Sequence, residues 1–133
     1  MRTQGWHYEF VPRPWTAIEA EFSALAEQRA NFRYMHDIAA SVIASGKTNE
    51  LAARTAIHDL LVASEPVGVA PLEVVRVRAP DSVHHAPPAG HVRIEHQSHS
   101  GRNDELERPE TEAVALFWRF MIEKFGITPI PPA

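Results

Sequence analysis

The chain has 133 residues, 44% hydrophobic and 23% charged, close to ordinary globular usage. Such a length predicts a single domain spanning 1–133, able to bury about two-thirds of the surface its unfolded chain would expose without help from a disulfide or a metal. Thirteen basic against seventeen acidic residues leave a net charge of -4, so no global field draws the chain to nucleic acid or to an anionic membrane, and the absence of cysteine removes disulfides, thiolate nucleophiles and cysteine-based zinc or iron–sulfur sites.

The lack of cysteine fits a cytoplasmic location. The opening stretch MRTQGWHYEF has no apolar core followed by a small-residue cleavage site, so no signal peptide is expected. The longest strongly apolar stretch, AVALFW, is far too short to cross a bilayer.

Trp6, Tyr8 and Phe10 alternate with His7, Glu9 and Val11, which predicts a short strand ended by Pro12 and Pro14. Thr16 with Glu19 three residues on has the spacing of a capping box. From Trp15 to Ser45 there is neither Gly nor Pro, and Ile18, Phe22, Leu25, Arg29, Phe32, His36, Ala39 and Ile43 step by four and three. That is either one helix of roughly 40 Å, at about 1.5 Å per residue, or two helices. Arg29 interrupts the apolar seam and Asn31 can cap a new helix, which favours a break there. Gly46 suits a left-handed stop. A third helix is expected from Asn49 to Ala63, with Leu51, Ile57, Leu60, Leu61 and Val62 on its apolar side.

Val75 and Val77 alternate with Arg76 and Arg78. Val92, Ile94 and His96 alternate with His91, Arg93, Glu95 and Gln97. Two antiparallel strands follow, joined by a flexible loop over 80–90 that is long for a hairpin. The last helix opens at Pro109, carries Glu110 and Glu112 in its first turn, and stops at Gly126. Val114, Phe117, Trp118, Met121, Ile122 and Phe125 give it a wide apolar face, broad enough to be either central core or shared with a partner. An extended tail, 127–133, closes the order β-α-α-α-β-β-α. The fold class is therefore α+β: a small antiparallel sheet of about three strands packed against three to four helices.

Chemistry concentrates in one stretch. Five of the eight histidines fall between His84 and His99. Imidazole binds divalent transition metals, and a carboxylate can complete a site, so His91, His96, His99 and Glu95 are the candidate ligands. The spacing matches no established framework, however. His91 and His96 are five apart and point to opposite faces of a regular strand, whereas His96 and His99 meet if the chain turns at Ser98. His96 continues the face of Val92 and Ile94, as either a hydrogen-bonded core histidine or a base at the strand's end. SHSGRND supplies short polar groups, Ser98, Ser100 and Asn103, around Arg102, whose guanidinium can grip a carboxylate or phosphate.

ASGKT is not a phosphate loop, because position 41 is Ser rather than Gly and no strand precedes it. A metal-independent nuclease face of Arg76, Arg78, Arg93, His96 and His99 is opposed by the acidic net charge. His36 and His58 read as core histidines of helices.

Two functions follow. The first is a small intracellular binding or accessory protein acting as a homodimer through its last helix. The second is a small enzyme with His96, His99 and Arg102 in catalysis, Ser98, Ser100 and Asn103 on the substrate, and Glu95 or Asp104 in support. A divalent metal is its one candidate cofactor.

Overall fold

The structure is a computed structural model that describes residues 6, 8–69, 71–98 and 103–130. Helix α1 spans Trp15–Gln28 and helix α2 spans Arg33–Ala44, with a 3-10 turn at Ala30–Phe32 between them. The break falls where Arg29 turns extended, at φ -139 and ψ 108. Thr16 makes no cap: the helix starts behind Pro14 with no side-chain cap bond, and Glu19 is used elsewhere. Gly46 follows α2 at φ 76.

Five strands follow: β1 Leu51–Ala56, β2 Asp59–Ser64, β3 Val74–Arg78, β4 His91–Gln97 and β5 Glu105–Pro109. They form one antiparallel meander, β1-β2-β3-β4-β5. Helix α3, Ala113–Phe120, enters through a 3-10 turn at Glu110–Glu112, continues as a π-helical turn, Met121–Phe125, and stops at left-handed Gly126.

The architecture is α+β, but the expected three strands in the order β-α-α-α-β-β-α are wrong. Among the described residues the order is α-α-β-β-β-β-β-α, with five strands and three helices. The error lies first in residues 49–63. β2 is buried on both faces from Asp59 to Ala63, so its sequence lacks the alternation that marks a half-buried strand. Its turn also lacks the usual Gly or Asn. β5 escaped notice because Glu105-Leu-Glu-Arg-Pro is an edge strand, charged and partly exposed. The strand expected over Trp6–Val11 reduces, among the described residues, to a single bridge between Trp6 and Leu72.

Alternation along the strands sorts the sheet's two faces. Leu51, Ala53, Leu60, Val62, Val75, Val77, Val92 and Ile94 face the helices and share a core with Ile18, Phe22, Phe32, Met35, Ile38, Phe117 and Met121. Each large side chain buried there contributes about 1.5–3 kcal/mol before entropy is subtracted. Trp118 joins this core, and its indole N–H donates to Ser41 Oγ at 3.1 Å. The opposite face carries a smaller apolar patch of Ala52, Leu61, Ala63 and Val74, which packs with Phe10 and Leu72. The rest of that face is mostly charged, with Asp59, Arg76, Arg78, Arg93, Glu95, Glu105 and Glu107. No described helix is long and apolar enough to cross a membrane.

Candidate functional site

The β1–β2 register pairs Ala56 with Asp59, which leaves Ile57 and His58 as a two-residue turn. Ile57 sits at φ 57. Tight hairpins place Gly or Asn in that conformation, and a β-branched residue held there stores about 1–3 kcal/mol. The side chain of Ile57 is 72% exposed, so its own packing does not offset the strain.

The turn is held by its neighbours. The His58 ring stands edge-on to Phe32, at 5.4 Å between centroids. Its Nδ1 lies 2.8 Å from Asp81 Oδ2, and Asp81 also pairs with Arg29 at 3.5 Å. In the tautomer whose Nδ1–H donates to this carboxylate, the lone pair is on Nε2. No described residue hydrogen-bonds Nε2. The ring lines a pocket of about 120 Å³ together with Ile57, Arg76, Ser82 and Val83.

The floor of this pocket is fixed by Asp59, which is 3% exposed. Its Oδ2 accepts from Arg76 Nε at 2.8 Å, Arg78 Nη1 at 3.2 Å and Ser82 Oγ at 2.8 Å, and its Oδ1 accepts the Ala79 N–H at 2.8 Å. A buried carboxylate so fully engaged is a clasp between β2, β3 and the following loop. Because Ser82 gives its proton to Asp59, it is not an activated nucleophile for His58. Arg76 uses only Nε on Asp59, and its Nη atoms make no hydrogen bond to a described residue. Tyr34 completes the support: its hydroxyl donates to the Arg78 carbonyl at 2.6 Å, and burial pushes the phenol far above its ordinary value, so it remains a neutral donor.

The residues singled out in the sequence divide between two faces. His96 turns to the helix side, opposite Val75, and is 8% exposed. Its Nε2 is closed to solvent and lies 2.8 Å from Glu73 Oε1, a contact close in distance but not directed along a hydrogen bond. Phe125 stands edge-on to the ring at 6.5 Å. Burial lowers the His96 pKa, Glu73 opposes this in part, and Lys124 adds to the lowering. Ser98 and Asn103 lie in the same corner, where the Ser98 N–H donates to Asn103 Oδ1 at 3.0 Å, and Asp104 pairs there with Lys124. His99, Ser100 and Arg102 lie outside the described residues.

Glu95 faces the other way. It accepts from Arg78 Nη2 at 2.5 Å and Gln97 Nε2 at 2.6 Å. His91 shares that face at the far end of β4, with Nδ1 3.2 Å from the Ala89 carbonyl. His91, Glu95 and His96 therefore do not converge. Among the described residues no cluster of three or more His, Asp or Glu side chains could hold a metal ion. The arginines of the nuclease arrangement lie on the face away from His96, paired with Asp59, Glu95 and Glu107.

Neither His36 nor His58 is a core histidine: their side chains are 26% and 27% exposed. His36 links α2 to α1 through Glu19 at 2.6 Å. His58, Asp59 and Asp81 were missed as site residues. The readable signal was Arg76 and Arg78 two apart on one strand face, because two guanidiniums so placed need a buried acid opposite them. No protein-family model, no curated protein and no solved structure matches this chain.

Proposed function

We propose that the protein is a small enzyme that moves a proton on a small carboxylate-bearing substrate in the pocket under the β1–β2 turn. One observation carries this reading: the His58 imidazole is fixed by Asp81 through Nδ1, keeps Nε2 unengaged, and lines a pocket beneath a strained residue. This is the arrangement of a general base, a ring whose tautomer is set by a carboxylate behind it. Arg76 is the anchor for the anionic group, through the Nη atoms left free by Asp59. A volume of about 120 Å³ suits a carboxylate-sized group and is well below that of pockets for larger ligands.

The enzyme reading moves from His96 to His58 because accessibility differs. A base must reach the proton it takes, and His96 Nε2 is almost wholly closed to solvent. The homodimer reading keeps only part of its argument: Leu116, Phe117, Trp118, Phe120 and Met121 are buried inside this chain, while Ile122 on the last helix and Ile43 on α2 are exposed.

The test is a titration of isotopically labelled protein with acetate and with glycolate, followed at the His58 ring and the Arg76 side chain. Saturable shifts at both residues, stronger for glycolate because its hydroxyl can donate to Nε2, are expected. His58→Gln should retain the fold and lose the preference for glycolate. Titration that leaves both residues unmoved overturns the reading.

A further inference from the structure

From the edge opposite to the His58 turn we infer a second functional surface: the free edge of β5 docks an extended, basic segment of a partner protein. The ladder fixes which backbone groups are free. The His96 N–H bonds the Asp104 carbonyl and the Glu110 N–H bonds the Gly90 carbonyl. In an antiparallel pair the hydrogen-bonded residues alternate with the others, so Leu106 and Arg108 also point their backbone groups at β4. The N–H and C=O groups of Glu105 and Glu107 therefore face outward, where no described strand lies. The Glu105 N–H and C=O and the Glu107 N–H bond no described residue, whereas the Glu107 carbonyl accepts from Arg108 Nη1 at 2.9 Å, a local contact that a docking strand displaces.

Side-chain charge names the occupant. Glu95, Glu105 and Glu107 lie on one face of the sheet, with Arg78 and Arg93 as their cations. Arg78 is shared with Asp59. Arg93 reaches Glu107 at 2.9 Å but Glu105 only at 3.8 Å. Glu105 is left short of positive charge, and its side chain is 48% exposed at the rim. Burial and a hydrogen bond with Glu95 raise its pKa, which agrees with that shortage.

A second copy does not meet the need. A two-fold antiparallel pairing of β5 with itself keeps like faces together, so it sets Glu105 against Glu105, Glu107 against Glu107, or one against the other. Like charges directly opposite each other destabilise a pair. A strand with Lys or Arg at alternate positions puts a cation beside each glutamate while its backbone completes the ladder, the mode of strand addition to a sheet edge.

The probes are two blocked peptides, TKVKVKT and TEVEVET, added to isotopically labelled protein. With the lysine peptide, saturable shifts along β5 and amide exchange at Glu105 and Glu107 slowed roughly tenfold or more are expected, weakening in about 1 M salt, where the Debye length is about 3 Å. The Glu105→Gln, Glu107→Gln double variant should lose most of the binding. Glu107→Pro removes an outward N–H without touching the β4 ladder and should abolish it. If the proline variant does not fold, the glutamine pair decides. Equal binding of the acidic peptide, or shifts without protection at Glu105 and Glu107, overturns the proposal. So does protection that rises with protein concentration and no peptide, which would assign the edge to a second copy.

Discussion

Two histidines sit at opposite corners of the sheet, each 2.8 Å from a carboxylate, yet their chemistry differs. His58 is held at the rim by Asp81, with its side chain 27% exposed, and it lines a pocket. His96 is packed under Phe125 with its Nε2 out of reach of water, and burial outweighs Glu73 in lowering its pKa. The lesson is that a histidine–carboxylate pair is not a signature by itself. Access to the second nitrogen decides whether the pair can exchange a proton with a ligand or only joins two segments.

The contrast can be broken most forcefully from the His58 side. Asp59→Ala strips half-buried Arg76 and buried Arg78 of a shared counter-charge and should cost about 3–5 kcal/mol, read as a large fall in urea midpoint. The His96 corner shares no partner with Asp59, so His96→Leu should add to that loss independently.

Ile57→Gly acts in the opposite direction. Relief of the positive φ, less the extra freedom of glycine in the unfolded chain, should raise stability by about 1 kcal/mol. Glycolate binding at His58 should weaken in the same variant. A gain in stability with unchanged binding would separate the strain from the site.

The His96 side responds to pH. Its folded value lies below the ordinary 6.5, so its contribution to stability is present above 6.5 and is lost as pH falls from there through the lowered value. Urea curves at pH 7.5 and 5.5 should show wild type losing stability in acid and His96→Phe losing less. The smallest effect is at Glu105, whose raised value makes its contribution full below 4.5 and lost as pH rises through the folded value. Glu105→Gln should therefore gain slightly on wild type at neutral pH, and the two should converge near pH 3.

Much of the helical cover was legible. The two helices, the break by Arg29 and the Gly46 and Gly126 stops are local signals that the structure has, but the seam's last position, Ile43, is exposed, and the last helix begins at Ala113 because Pro109, expected to open it, ends β5. The sheet was legible only where it alternates. Val75 and Ile94 announce β3 and β4, whereas Leu60, Leu61 and Val62 lie in a strand covered on both sides and carry no period. The candidate site depended on that same segment. Read as a helix, residues 49–63 placed His58 among apolar neighbours. Read as a hairpin, they put it on a turn beside Asp81, a residue 23 positions away whose approach no local pattern foretells. The opposite facing of His91 and His96 was legible because strand parity alone decides it.

The contact between Trp118 and Ser41 spans 77 positions and joins the two blocks of helix that cover one side of the meander. Such a closure is slow, because chain entropy must be lost over a long separation before the contact forms. While the polypeptide is being made, the strands and the first two helices wait with an apolar side uncovered until the final helix emerges. The protein's most vulnerable moment for aggregation is therefore the interval just before that helix arrives, and slowing translation across β5 should lengthen it.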